Sequence, residues 1–463
     1  MSVLTYSLGA TEEVTGSKHI LEIDGLPYMI DCGAWQGAAA AQERNCNFNF
    51  EVDKLQAVFL THAHYDHCGL LPSLIKQGYT GSIRSTPATR DLASIVMMDS
   101  AKIQKQEHNA AYEEADVIET VNHFRCHAYG KEKKLDDKVS YTMYDAGHIL
   151  GSSMVDISIA RKKNIIEKLF KKETERMHIL FTGDLGRESN PITNPPATDM
   201  PAPEYIFLES TYGNRVHESV QHCYGELENV INNTINRGGK VIIPSFAIER
   251  AQELIYHIKK LMASRRIPRV PVYIDSPMAS NATGVFNIHP ECFNQKIKDD
   301  FISKGKNPFS VRSLEFISDS QASKRVAAST EPCIVIAANG MCEAGRIINH
   351  LKAGIENEKN TILIVGYMGE NTLGRKILER EEKVVIDKKE YDLKAEVHKI
   401  NAFSAHADYK EITDWLGKID TSKLKKIFLV HGDKDAQEYL AFHLNKKGYT
   451  TEIVKADDVR VLK

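Results

Sequence analysis

Apolar and polar positions change their rhythm twice along the chain. Up to about residue 210, short apolar runs alternate with turn residues. Runs at 19–23 and 28–31 flank Asp24-Gly25, a hairpin signal. The run 57–60 is a buried strand, 69–78 a short helix, and 88–124 a long helical region. Three more strands are expected at 139–144, 154–159 and 178–182. Two sheets with helices outside suit this pattern. From about residue 210, helical stretches alternate with apolar strands at 240–244, 272–275, 334–338 and 361–365, the texture of a parallel sheet in a doubly wound α/β domain. After about residue 390 strands resume, at 395–403 and 426–430. The change and the return indicate an insertion, with segments 1–208, 209–390 and 391–463.

The strand 57–60 runs into Thr61-His62-Ala63-His64-Tyr65-Asp66-His67-Cys68-Gly69. Residues two apart on an extended segment point the same way, so His62 and His64 can grip one ion. The following turn frees Asp66 and His67 to face a second. Imidazole nitrogens with carboxylate oxygens suit zinc, with manganese or iron as alternatives. Solvated loop histidines are the bland reading, and four ligand types behind an apolar strand argue against it. Three other strand ends offer ligands beside a glycine: Asp145-Ala146-Gly147-His148, Gly183-Asp184 and His431-Gly432-Asp433. Glycine lets the backbone turn tightly there. Taken alone, His148 or His431 reads as a surface histidine; the company of the first motif changes that.

The bulk figures narrow little. The 463 residues are 42% hydrophobic and 26% charged, as expected for a two-domain soluble enzyme. Net charge of -3 gives no hint of nucleic-acid binding, so any such binding needs a local groove. No membrane span and no basic-then-apolar leader is read. Eight scattered cysteines without a Cys-x-x-Cys pair indicate neither a disulfide framework nor a zinc knuckle, and the cytoplasm fits best. The basic stretch near 161–176 reads as a solvated hairpin.

In order, His62-x-His64-x-Asp66-His67, His148, Asp184 and His431 resemble the metallo-β-lactamase fold. The middle region resembles the β-CASP insertion of its nucleic-acid-processing branch. Further markers are Leu208-Glu209-Ser210-Thr211-Tyr212-Gly213, Pro244-Ser245-Phe246-Ala247, Asp275-Ser276-Pro277-Met278-Ala279, Ala338-Asn339-Gly340-Met341, Leu373-Gly374-Arg375 and Phe403-Ser404-Ala405-His406-Ala407-Asp408. They cover almost the whole chain and are most similar to bacterial RNA-processing nucleases that look like the catalytic subunit of pre-mRNA 3′-end cleavage. The implied fold is α/β, an αββα sandwich with an inserted doubly wound β-CASP domain.

The resemblance implies two zinc ions, one on His62, His64 and His148, the other on Asp66, His67 and His431, with Asp184 bridging. Asp31 orients ligands from behind. His406 is the implied proton donor and Glu209 its partner; with Asp66 they form the catalytic set. Ser245, Asn339, Gly340, Arg346 and Arg375 are implied to bind substrate phosphates. Relatives carry Ser or Thr at Asn339, and Glu370-Asn371 departs from the family loop before Leu373-Gly374-Arg375. His398 matches no motif and is read as structural. The implied activity is hydrolysis of single-stranded RNA, endonucleolytic with exonuclease activity as an addition, leaving 3′-hydroxyl and 5′-phosphate ends. A small-substrate hydrolase of the same fold and a DNA-directed nuclease are the alternatives. Such relatives often form homodimers.

Overall fold

A computed structural model of the chain describes residues 1–36, 43–46, 48, 50–106, 110–161, 175–218, 220–366, 368–401 and 404–463. Residues 162–174 of the basic stretch, and Phe403 of the last motif, lie outside the described residues. The chain divides into two compact units, Met1–Val216 with His406–Lys463, and His217–Ala405.

The first unit holds two seven-stranded sheets. One runs, in spatial order, Arg460–Val461, Val3–Gly9, Lys18–Ile23, Leu26–Ile30, Ala57–Phe59, Ser82–Ser85 and Phe124–Cys126. The other runs Thr451–Ile453, Lys426–Val430, Tyr205–Glu209, Arg176–Phe181, Ser153–Ala160, Val139–Asp145 and Lys133–Lys134. Side chains alternate across each strand, so every second residue faces the other sheet. Val139, Tyr141 and Met143 therefore share one buried cluster with Leu21, Ile30 and Phe59. The Phe59 and Tyr141 rings meet edge-on at 4.9 Å. Leu180, Ile206 and Leu429 point to the opposite face, where Ile412, Trp415 and Leu416 of helix Tyr409–Leu416 and Leu440 and Leu444 of helix Lys434–Lys446 cover them. Behind the first sheet, helix Pro87–Gln106 buries Leu92, Val96 and Met97. Helix, sheet, sheet, helix is the layering the resemblance implied.

Strand direction builds the site. Val139–Asp145 and Arg176–Phe181 are both antiparallel to Ser153–Ala160, and Arg176–Phe181, Tyr205–Glu209 and Lys426–Val430 are parallel neighbours. In the first sheet, Leu26–Ile30 runs parallel to Ala57–Phe59. The candidate residues follow the carboxyl ends of these strands.

The second unit is a six-stranded sheet in the order Leu314–Phe316, Val272–Asp275, Ile334–Ala337, Val241–Pro244, Thr361–Ile364 and Glu396–Lys399, parallel throughout. Helices such as Arg250–Ala263 and Ile347–Gly354 connect its strands, giving a doubly wound sheet. One boundary differs from expectation. The sequence pattern puts residues 391–405 in the return segment, whereas Glu396–Lys399 pairs with Thr361–Ile364 and closes the edge of the inserted sheet. Periodicity reports that a strand exists, and not which sheet it joins.

At Gly33 the segments that follow two neighbouring strands of the first sheet make a close backbone approach. A Cβ there would collide with the Asp66 carbonyl oxygen. Around it, Ser17 N–H donates to Asp66 O at 2.9 Å and Cys32 N–H to His67 O at 2.8 Å. Gly33→Ala is expected to destabilise the protein by about 1–3 kcal/mol and to lower bound metal, checked by denaturant unfolding and metal analysis of the purified variant.

Candidate metal and catalytic centre

Ten of the residues singled out from sequence come together in the first unit: Asp31, the seven candidate ligands, His406 and Glu209. His62, His64, His148 and Asp184 form one group of ligand atoms, and Asp66, His67 and His431 another. His62 Nε2 is 3.1 Å from His64 Nδ1, which is 3.2 Å from His148 Nε2. Asp184 Oδ2 stands 3.3 Å from His62 Nε2 and 3.4 Å from His148 Nε2. A tetrahedral ion with bonds of about 2.0–2.1 Å holds its ligand atoms about 3.3 Å apart. The four atoms match that spacing.

In the second group, His67 Nε2 and His431 Nε2 are 3.1 Å apart, and His431 Nε2 is 3.4 Å from Asp66 Oδ2. The other oxygen of Asp184, Oδ1, lies 3.3 Å from His67 Nε2. Asp184 thus turns one oxygen to each group, and its buried Oδ1 accepts no hydrogen bond. A buried carboxylate oxygen left so is expensive unless a cation faces it.

The outward nitrogens fix the rings. Asp31 accepts from Thr61 N–H at 2.8 Å, from the Thr61 hydroxyl at 2.9 Å and from His67 Nδ1 at 2.7 Å. Since the Thr61 hydroxyl donates to Asp31, its contact of 3.0 Å with His62 Nδ1 has the ring donating. The Thr211 hydroxyl likewise donates to His431 O and receives His431 Nδ1–H at 3.0 Å. In all three rings the outward Nδ1 is engaged by an oxygen and Nε2 is directed inward, the orientation a metal requires. Asp31 and His431 adopt left-handed backbone, φ 59° and 52°, and are held there by hydrogen bonds from their N–H groups to Phe59 O and Ala10 O.

Burial and charge act on these groups in opposite directions. Burial pushes His62 down to about 3 and His64 to about 4, and holds His148 well below the usual imidazole range. They are neutral, as ligands must be. For His67, burial is outweighed by the carboxylates of Asp184 and Asp31, which raise it. Burial would raise Asp184, but the surrounding His431 and His67 hold it well below the carboxylate range.

His406 stands beside the metal groups. Its Nδ1 is 3.1 Å from Glu209 Oε1, 3.2 Å from Oε2 and 3.8 Å from Asp184 Oδ2. Glu209 is fully buried and also accepts Leu185 N–H at 2.6 Å. Against the effect of burial, Glu209 and Asp184 raise His406 to about 9. The segment bearing it is pinned by Ala407 N–H, which donates to Leu185 O at 2.8 Å.

The expected substrate residues belong to the second unit and fare differently. Ser245 and the Asn339-Gly340 pair follow the neighbouring strands Val241–Pro244 and Ile334–Ala337 at the carboxyl edge of the sheet. Gly340 packs under Phe246, which is 42% exposed. Arg346 is committed to the fold: NH1 donates to Asp275 Oδ1 at 2.8 Å and Ile317 O at 2.7 Å, and NH2 to Ser318 O at 2.8 Å. Arg375 pairs with Glu379 one turn along its helix. His398, read as structural, pairs with Glu396 at 2.7 Å.

Residues 20–185 match the model of a metallo-beta-lactamase superfamily domain, 251–377 that of a Beta-Casp domain, and 390–454 that of a Zn-dependent metallo-hydrolase RNA specificity domain. Over 427 residues the chain is 34% identical to Ribonuclease TTHA0252 of Thermus thermophilus, covering 92% of each protein. The chain is a β-CASP member of the metallo-β-lactamase superfamily. It is also 30% identical over 452 residues to transcription termination factor FttA of Methanosarcina mazei, covering 95% of this chain and 68% of that one. A crystal structure of a protein of unknown function from Enterococcus faecalis V583 shares the fold over the full length of both chains, with a TM-score of 0.56 at 10% identity.

For this β-CASP protein, sequence reading missed Thr61 and Thr211, whose hydroxyls set two ligand tautomers, and Phe246. A hydroxyl directly before a ligand histidine was the available signal for Thr61. Thr211 meets His431 across 220 positions and left none. Asp31→Asn keeps the side chain's shape and removes the charge opposite His67. It is expected to weaken metal binding about 10–100-fold, read by competition with a chelator of known affinity.

Proposed function

We propose that the protein is a zinc-dependent ribonuclease that hydrolyses phosphodiester bonds of single-stranded RNA, acting as an endonuclease with exonuclease activity as an addition. The observation that carries this reading is the Glu209–His406 pair, 3.1 Å apart with Glu209 buried and His406 partly exposed, beside the candidate ligand cluster. A hydrolase of activated small substrates needs the ligands alone; a phosphodiester needs a proton for a poor leaving group as well. The name of the Thermus relative, a ribonuclease, agrees with it.

His62, His64 and His148 would hold one zinc and Asp66, His67 and His431 the other, with Asp184 shared between them. Bound zinc supplies positive charge against the phosphodiester anion and lowers the pKa of water towards neutrality. The chain's own groups do the rest. Asp66, its side chain 20% exposed where that of Asp184 is 1% exposed, receives the proton of the attacking water. As water oxygen bonds to phosphorus, the bond from phosphorus to O3′ breaks. His406, its Nδ1 held by Glu209, delivers a proton from Nε2 to the departing O3′. A 3′-hydroxyl and a 5′-phosphate result. In the insert, Ser245, Asn339 and Gly340 are the better candidates for phosphate contact, at the edge where open α/β sheets bind ligands. Arg375 can supply charge once it leaves Glu379. Arg346 serves the fold instead. No helix among the described residues is long and apolar enough to cross a membrane, and we take the cytoplasm as the site of action.

Cleavage of 5′-labelled and internally labelled single-stranded RNA, beside DNA of the same sequence, tests the reading. Zinc-dependent cutting of the RNA is expected; no cutting of either strand by zinc-loaded protein would sink it. His406→Ala is expected to keep its zinc and lose about 10²–10⁴-fold in kcat, and normal turnover would remove His406 from the mechanism. Asp184→Ala is expected to lower the zinc content, and an unchanged count by elemental analysis would defeat the bridging role.

A further inference from the structure

We propose that an exposed aromatic face on helices Tyr409–Leu416 and Lys434–Lys446 is a track on which bases of single-stranded RNA stack beside the cut. It rests on the ribonuclease reading and extends it to where the substrate lies.

The second helix has two faces with different work to do. Ala436, Leu440 and Leu444 are buried against the sheet, so the core is served by that side alone. Tyr439, Phe442, His443 and Lys446 follow the spacing of the opposite face. Tyr439 is 39% exposed and Phe442 55% exposed, large aromatic surfaces that packing does not require. They form a continuous group. The Tyr439 and His443 rings stack with centroids 4.2 Å apart, Tyr409 stands 5.4 Å from Tyr439, and Phe442 stands 5.5 Å from His443.

The group is continuous with the catalytic residues. Tyr409 is three positions past His406, and Asp408, which caps its helix, bridges through the backbone to Tyr212. The Tyr212 ring is 5.9 Å from that of His406, with the Arg215 guanidinium 5.9 Å above it. Charge matches a polyanion: Lys446 Nζ lies 4.2 Å from the Phe442 ring, and Lys410 acts electrostatically on Tyr439. Asp435, one turn before Tyr439, and Glu438, one turn before Phe442, are acids on that face, and Lys446 and Lys410 stand against them. Exposed rings interleaved with cations are how single strands are held without regard to sequence. The overall net charge of -3 makes such a local surface necessary.

The double variant Tyr439→Ala/Phe442→Ala alters exposed positions only and leaves the catalytic groups in place. In a His406→Ala background that spares the RNA, anisotropy with a fluorescein-labelled pyrimidine-rich RNA is expected to show about tenfold weaker binding. In the cleaving enzyme, KM for that RNA rises while kcat holds, and an RNA of a few nucleotides spanning the cut is unaffected. Unchanged binding and KM would overturn the track while leaving the ribonuclease standing. Loss of a dimer in sedimentation without a change in KM would also overturn it, assigning the face to a second copy of the chain. A wild-type protein that neither binds nor cuts RNA would remove the function itself, and the track with it.

Discussion

Asp31 receives three hydrogen bonds at once, from the backbone and hydroxyl of Thr61 and from His67 Nδ1. Through Thr61 it also reaches His62, so one buried carboxylate governs two ligand rings belonging to the two different groups. Packing seven ligand-type side chains together without water is unfavourable unless every polar atom has a partner. The outward nitrogens of three rings are satisfied by protein oxygens, and the inward atoms converge at the edge lengths of a metal polyhedron. The left-handed backbone of Asp31 and the close approach at Gly33 are consequences of carrying that carboxylate under the Asp66–His67 turn.

The same side chain has two fates in this small volume. His62, fully buried, and His406, half-buried, are both imidazoles near Asp184, yet one is held near 3 and the other near 9. Burial lowers both. For His62 the neighbouring His67 adds to the lowering, and Asp184 offsets it only in part. His406 has Glu209 on its Nδ1, a fully buried carboxylate whose charge water does not screen. The arrangement separates His62, which its surroundings keep neutral, from His406, which keeps its proton.

Those parts of the site that were legible in sequence sit at strand ends. An apolar run followed by ligand residues and a glycine places chemistry at the carboxyl edge of a sheet, and parallel neighbours gather these edges, so His62 to His67, His148, Asp184 and His431 could be found one strand at a time. Contacts across the fold could not. Thr211 finds His431, and Arg346 finds Asp275, only through pairings that no local period records. Arg346 also shows the limit of motif transfer: an arginine at a helix start suggests phosphate, whereas here its donors hold the loop at 317–318. The 391–405 boundary was illegible for a related reason, since the short strand Glu396–Lys399 would suit either unit's sheet.

The insertion point has its own logic. Tyr205–Glu209 and Lys426–Val430 are parallel neighbours, and a parallel pair needs a crossover connection whatever its length. Helix Tyr409–Leu416 still makes that crossover, packing Ile412, Trp415 and Leu416 on the sheet. The insert therefore occupies the stretch between strand and crossover helix, where added length costs little loop entropy. Glu209 ends the last strand before it, seven residues short of the crossing at Val216, and His406 is the first residue of the return; they meet 3.1 Å apart across 197 positions. The contact that closes the insertion inside the two-sheet unit is thus the same one that holds the His406 ring. A β-CASP chain that lost the return segment would keep most of its ligands and lose His406, so the chemistry and the insertion are coupled through one hydrogen-bonded pair.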